Sequence, residues 1–311
     1  MFGFRAEGRR AKHMDPIIQA TPYLMPMRCD AMVFLHHDVE YDTLMRYIAD
    51  KSRNEGVKIT FLEVVIACYV RAISQVPEVN RFIMNKQFFN RNELTCAMTI
   101  LMNTPDGSIK ENVIKVKFDP SDTIYDVAAR LTTKIDANRA PENPSFAIKL
   151  ASFALAIPGF TSLISWIIRG LDRYGLLPRA VIDELPFHTS MFITNNASIG
   201  LHSVYHHIYN FGNTSMFFGI GTPERGYTVD AKGNPKRWCT LPIGITVDER
   251  VCGGAVYAKL FTWMKRCLKN PELLDAPPEQ VFYNDGVEYH VPKPESAMVP
   301  KTPTIGAAVE A

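Results

Sequence analysis

The residues most able to do chemistry lie in the second half of the chain: Thr194-Asn195-Asn196 with Ser198 close behind, then His202, His206 and His207, then Asp248-Glu249-Arg250. A hydroxyl beside two amides can donate hydrogen bonds to a developing oxyanion, and a carboxylate or imidazole can take a proton as general base. His206-His207 follow Thr194 by 12 and 13 residues, so the connection can return past the same turn. On an extended segment adjacent side chains alternate, which lets at most one of the two reach a shared pocket. The plainer readings stand beside these: the histidines as surface or interface residues, the Thr-Asn-Asn run as a polar turn at a strand end.

Other chemistries are excluded by what the sequence lacks. There is no GxxxxGK[ST], no GxGxxG after a strand and no GxSxG elbow. The six cysteines form no CxxC pair and are read as reduced thiols, and neither His36-His37 nor His202 with His206 has a carboxylate at ligand spacing, so no metal site is expected. With 34 Lys and Arg against 32 Asp and Glu, the net charge of +2 gives no electrostatic case for a nucleic-acid partner.

The elements that must position the site follow from periodicity. The 311 residues, 47% hydrophobic and 21% charged, suit one ordinary globular core. A strand is expected over 31–39 and a helix from about Asp42. A helix apolar nearly all round is expected over 60–73. Short strands with turns at Asn85-Lys86 and at 90–92 come next, then a strand over 112–116 and a helix capped by Ser121 or Asp122 that stops before Pro141. Residues 190–194 and 215–220 read as buried strands, and 226–246 as a hairpin around Gly233-Asn234-Pro235. The last amphipathic helix carries Val256, Leu260, Trp263, Met264 and Cys267 on its apolar stripe, and a short hairpin is expected about Asn284-Asp285-Gly286.

Strands and helices intermix without a linker, which predicts a single α/β domain with a mixed β-sheet. Residues 1–27 read as an arm with little regular structure, 28–275 as the folded domain, and 276–311 as a hairpin and flexible tail. The charged N-terminus carries no signal-peptide core, giving a cytoplasmic expectation. Residues 150–168 are uncharged and nearly long enough to cross a bilayer, but Pro158-Gly159 breaks them. They read as a helical hairpin, buried or facing a partner, with membrane association the lesser alternative.

The order of strand, turn, hairpin, strand and then TVDERVCGG opening a helix, together with GVKIT, PEVN and FITNNASIG, resembles the catalytic domain of the 2-oxoacid dehydrogenase acyltransferases. That family shares its fold with chloramphenicol acetyltransferase. The similarity spans roughly 12–274. It implies a mixed sheet flanked by helices, a homotrimer with the active channel between neighbouring subunits, and a coenzyme A thioester as acyl donor to a small acceptor. The family's lipoyl attachment module has no counterpart, so a stand-alone chain is expected. The family hallmark reads Asp-His-Arg-x-x-Asp-Gly, with the histidine as base toward the attacking thiol. Here Glu249 stands at the histidine position and Gly253 at the second aspartate.

The resemblance puts Thr194 on the oxyanion and Glu249 in the place of the base; His206 or His207 is the second candidate base that spacing offers, and Asn195, Asn196, Ser198 and Arg250 are expected around the substrate, Arg250 as an ion-pair partner. A model Glu at about 4.3 lies about 4 units below a model thiol at about 8.5, a deficit of roughly 6 kcal/mol in proton-transfer driving force. The competing expectation is therefore a catalytically inactive trimer that binds an acyl thioester or a protein partner.

Overall fold

The computed structural model describes residues 4–103, 109–139, 159–285 and 287–294. Its centre is a mixed sheet of seven strands. Strand β6 (Leu94–Asn103) pairs antiparallel with β7 (Ile109–Phe118) on one side and parallel with β8 (Met191–Asn195) on the other, and β8 is parallel to β9 (Met216–Ile220). The long strand β11 (Pro235–Asp248) pairs β10 (Glu224–Val229) through its first half and β9 through its second, while β3 (Met32–Glu40) runs along its opposite edge. A second, four-stranded sheet is ordered β1 (Phe4–Arg5), β2 (Gly8–Arg10), β5 (Gln87–Arg91), β4 (Arg81–Met84).

Alternation along the strands divides the large sheet into two faces. Ile243, Ile245 and Val247 of β11, with Met191 and Ile193 of β8, join the main core. Against that face pack the helices α2 (Tyr41–Asp50), α3 (Phe61–Gln75), α4 (Ile124–Arg139) and, from the end of the fold, Gly254–Lys269. Helix α3 is buried from Glu63 to Ser74, as its all-round apolar pattern requires. Thr60 and Glu63 close a reciprocal capping box at its start. Each of its buried Val and Ile side chains contributes about 1.5–3 kcal/mol.

The opposite face carries Phe192, Phe217 and Ala97, and it is covered not by helices but by the irregular segment 201–209, whose Ile208 seals a small second core. The crossing is close. A Cβ on Gly219 would stand 2.6 Å from the carbonyl oxygen of Val204, and one on Gly244 would stand 2.4 Å from the same atom. Glycine at these two paired positions lets the strap lie directly on the sheet.

Several elements differ from the sequence expectation. The first residues are not irregular: β2 pairs β5, and Asp15 with Pro16 opens helix α1 (Pro16–Leu24), the Asp15 carboxylate accepting from the Ile17 amide at 2.8 Å. The cap before α4 is Thr123, in a reciprocal pair with Asp126, rather than Ser121 or Asp122. No strand forms in 281–285 or 287–290; Asn284 donates to the Pro77 carbonyl, and the Val291 amide to Asp119. Gly286 and the tail from residue 295 lie outside the described residues.

Of the uncharged stretch 150–168, residues 150–158 also lie outside them. The rest begins helix α5 (Phe160–Tyr174), which is followed by α6 (Arg179–Glu184) and, last, α7 (Gly254–Lys269). Among the described residues no helix is long and apolar enough to cross a membrane.

Candidate functional site

Thr194 ends β8 on the strap-covered face, two residues beyond Phe192. Its hydroxyl donates to Asn196 Oδ1 at 3.2 Å, and Asn196 Nδ2, buried, has no hydrogen-bond acceptor. Asn195 Oδ1 is likewise buried and unpaired. Ser198 donates to the Asn195 carbonyl at 2.7 Å, closing the turn that Gly200 leaves at φ +75°. Two unsatisfied amide groups beside a half-buried hydroxyl form a polar cup whose spare donor, Asn196 Nδ2, suits a developing negative charge.

His206 shares this face. Its ring stacks on Phe217 at 4.1 Å and 7°, and Phe217 pairs in register with Phe192, one pleat repeat or about 7 Å along the strand from Thr194. His206 Nδ1 lies 2.9 Å from the His207 carbonyl, which can only accept, so Nδ1 is the donor of that bond and Nε2 is the ring nitrogen left for other partners. The His207 ring does not alternate to the far side but stacks on His206 at 4.5 Å, because the strap is irregular rather than extended. His207 itself is exposed.

Glu249 is placed elsewhere. Thr194 pairs with Gly219 and Gly219 with Gly244, whereas Asp248 lies four residues further along β11. Two strand spacings across and four residues along give about 16 Å between Thr194 and Asp248 within one chain. Glu249 is exposed, its amide donates to the Ala31 carbonyl at 2.9 Å, and its carboxylate has no hydrogen bond or ion pair among the described residues. Arg250 does not face it. Its Nε and Nη2 donate to the two oxygens of Asp248 at 2.8 and 2.7 Å and its Nη1 to the Met25 carbonyl, so it acts as the ion-pair partner expected of it.

Asp248, named in the sequence only as part of the Asp248-Glu249-Arg250 run, proves to be the buried centre of that cluster. It is 1% exposed, it also lies 3.6 Å from Arg28 Nε, and its own carbonyl accepts from Tyr257. Burial pushes the Arg28 guanidinium below its ordinary range, an effect that Asp248 opposes and Arg250 reinforces. The local Asp-x-Arg spacing was visible; Arg28, more than 200 residues away, was not.

A second buried cluster joins Glu7, Asp172 and His188, whose ligand-type atoms all lie within 4.8 Å of one another. A guanidinium already supplies the cation there. Arg5 bonds Glu7 at 2.7 Å and Asp172 at 2.6 Å, tying β1 to α5. Burial would raise the Asp172 carboxyl, but His188 and Arg5 outweigh it and hold it below the usual carboxylate range.

No family model matches the sequence, and no curated protein matches it significantly. Solved structures do match. A probable dihydrolipoamide acetyltransferase from Listeria monocytogenes superimposes with a TM-score of 0.51 at 12% identity, covering 84% of this chain and 94% of that one. A chloramphenicol acetyltransferase gives 0.49 at 11% identity, with 84% of this chain and 100% of that one covered. At 12% identity the likeness to the first of these is one of fold alone: a mixed sheet flanked by helices.

Proposed function

We propose that the protein transfers an acyl group from a thioester, coenzyme A being the donor class the fold suggests, to a small acceptor. The carrying observation is the polar cup at the end of β8, where the Thr194 hydroxyl and the spare Asn196 amide sit at the edge of a strap-covered face. A single such donor is worth about 10²–10³ in kcat when it stabilises an oxyanion.

Glu249 would meet Thr194 only from another copy, since Asp248, one residue before it, already stands about 16 Å from Thr194 along the register of one chain. A homotrimer with the site between neighbouring subunits meets that condition. His206 is the base available from the same chain, through Nε2. Acetyl-CoA turnover with a thiol acceptor tests the reading: Thr194→Ala lowers kcat about 10²–10³-fold with Thr194→Ser retaining most of it. Glu249→Gln and His206→Gln then divide the two bases, the effective one abolishing the acidic limb of the pH profile, where protonation of the base silences the enzyme. Wild-type protein that binds acetyl-CoA in a calorimeter yet never turns it over supports the inactive alternative, which the loss of the family's histidine at Glu249 favours.

A further inference from the structure

Between α1, the β4–β5 turn and α5 lies a cleft of about 310 Å³ whose charged lining is Arg28, Lys86, Arg169, Arg173 and Arg250, with Asp172 the one carboxylate. That carboxylate is engaged by Arg5 and His188, and Arg28 and Arg250 share Asp248 between them. Arg169, Arg173 and Lys86 have no carboxylate within ion-pair distance among the described residues; Arg173 Nε donates to Asn85 and Lys86 lies over the Tyr23 ring. The cleft therefore holds an excess of positive charge in a chain whose net charge is only +2.

One of the buried groups is also incompletely bonded. Arg28 is 5% exposed, its Nη1 and Nη2 donate to the carbonyls of Tyr209 and Ile83, and its Nε has no hydrogen-bond acceptor. Arginines at the mouth and one at the base, converging from separate elements, suit a ligand with several acceptor oxygens and more than one negative charge. Low-dielectric walls strengthen that attraction: Pro22, Pro26, Met27, Ile83, Met84 and Phe211 are the apolar part of the lining, beside Asn85 and Asn210. On α5, one turn before Arg169, Trp166 is 74% exposed, and Leu163 a further turn back is 51% exposed.

We propose that this cleft binds the phosphoryl group of a ligand with an apolar body. The chemistry is shared by a soluble phosphorylated metabolite and by an anionic lipid headgroup; the cleft contains neither Thr194 nor Glu249, and of the residues expected around the acyl substrate only Arg250, held by Asp248, lines it.

Two titrations at one ionic strength separate the sources: inorganic pyrophosphate by calorimetry, and vesicles of phosphatidylcholine with or without phosphatidylglycerol by cosedimentation. The double variant Arg169→Ala/Arg173→Ala is compared with Lys236→Ala/Arg237→Ala, which removes the same charge from the exposed β10–β11 hairpin. The expected result is that the cleft variant weakens binding of one probe by about tenfold or more while the hairpin variant leaves it unchanged. Pyrophosphate responding assigns a soluble ligand, and phosphatidylglycerol vesicles alone responding assign a lipid headgroup. Lys86→Ala repeats the comparison should the double variant lose its native circular dichroism. Binding of neither probe by the wild type, or equal weakening by the hairpin variant, overturns the proposal.

Discussion

Replacing Asp248 by alanine strands two arginines in the interior. Asp248 is 1% exposed and accepts from Arg250 at 2.7 and 2.8 Å through the side chain and at 3.1 Å through the backbone amide, with Arg28 3.6 Å away. Arg250 and Arg28 are themselves only 3% and 5% exposed, so water cannot replace the lost carboxylate. Removing one partner of a buried pair costs about 3–5 kcal/mol, most of it the penalty of leaving the other charge uncompensated. At about 2 °C per kcal/mol for a chain of this size, Asp248→Ala should melt roughly 6–10 °C below the wild type. Urea unfolding at matched protein concentration measures the free energy directly. Glu249→Ala, one residue on but exposed and unpaired, should stay within about 0.5 kcal/mol. If Asp248→Ala costs less than about 1 kcal/mol, Asp248 does not anchor the loop that carries Glu249, and the reasoning fails.

The strap over the sheet gives a second expectation. Gly219→Ala and Gly244→Ala each press a methyl group on the Val204 carbonyl, at 2.6 and 2.4 Å, and should cost about 1–3 kcal/mol with faster amide exchange confined to 201–209; unchanged exchange there would refute the close crossing. Acid sensitivity follows from Asp172. Because its folded pKa lies below the unfolded value of about 3.9, the unfolded chain binds more protons near that pH. Its contribution is full above pH ~4 and is lost as pH falls through the folded pKa, so Asp172→Asn should flatten the acid limb of stability against pH, and an unchanged slope would contradict the assigned ion pairs.

The core was readable because its signals are local. Helix α3 announces itself by an apolar run behind Thr60, and β8 and β9 by uninterrupted buried stretches between turn residues. Within the site, Thr194, Asn195, Asn196 and Ser198 are neighbours in sequence and stay neighbours in space. What could not be read depends on partners far apart. Arg5 meets Asp172 across 167 residues, and nothing near either announces the pair. Helix α1 is hidden by an internal Pro22 and by Pro-rich flanks, its start marked only by Asp15-Pro16. The separation of Thr194 from Asp248 needs the register of three strands, which periodicity alone does not supply. The glycines under the strap look like ordinary strand glycines until the sheet is assembled.

With Glu249 as the base, the proposed acyl-transfer site is composite, the hydroxyl coming from one copy and the carboxylate from another. Co-expressing Thr194→Ala chains with Glu249→Gln chains and assaying acetyl-CoA turnover in the mixed oligomer tests it most directly. Each single variant should be nearly inactive, and random mixing should restore about a quarter of wild-type turnover, because one boundary in four then pairs an intact hydroxyl with an intact carboxylate. Mixed oligomers no more active than either parent would contradict a site shared between copies.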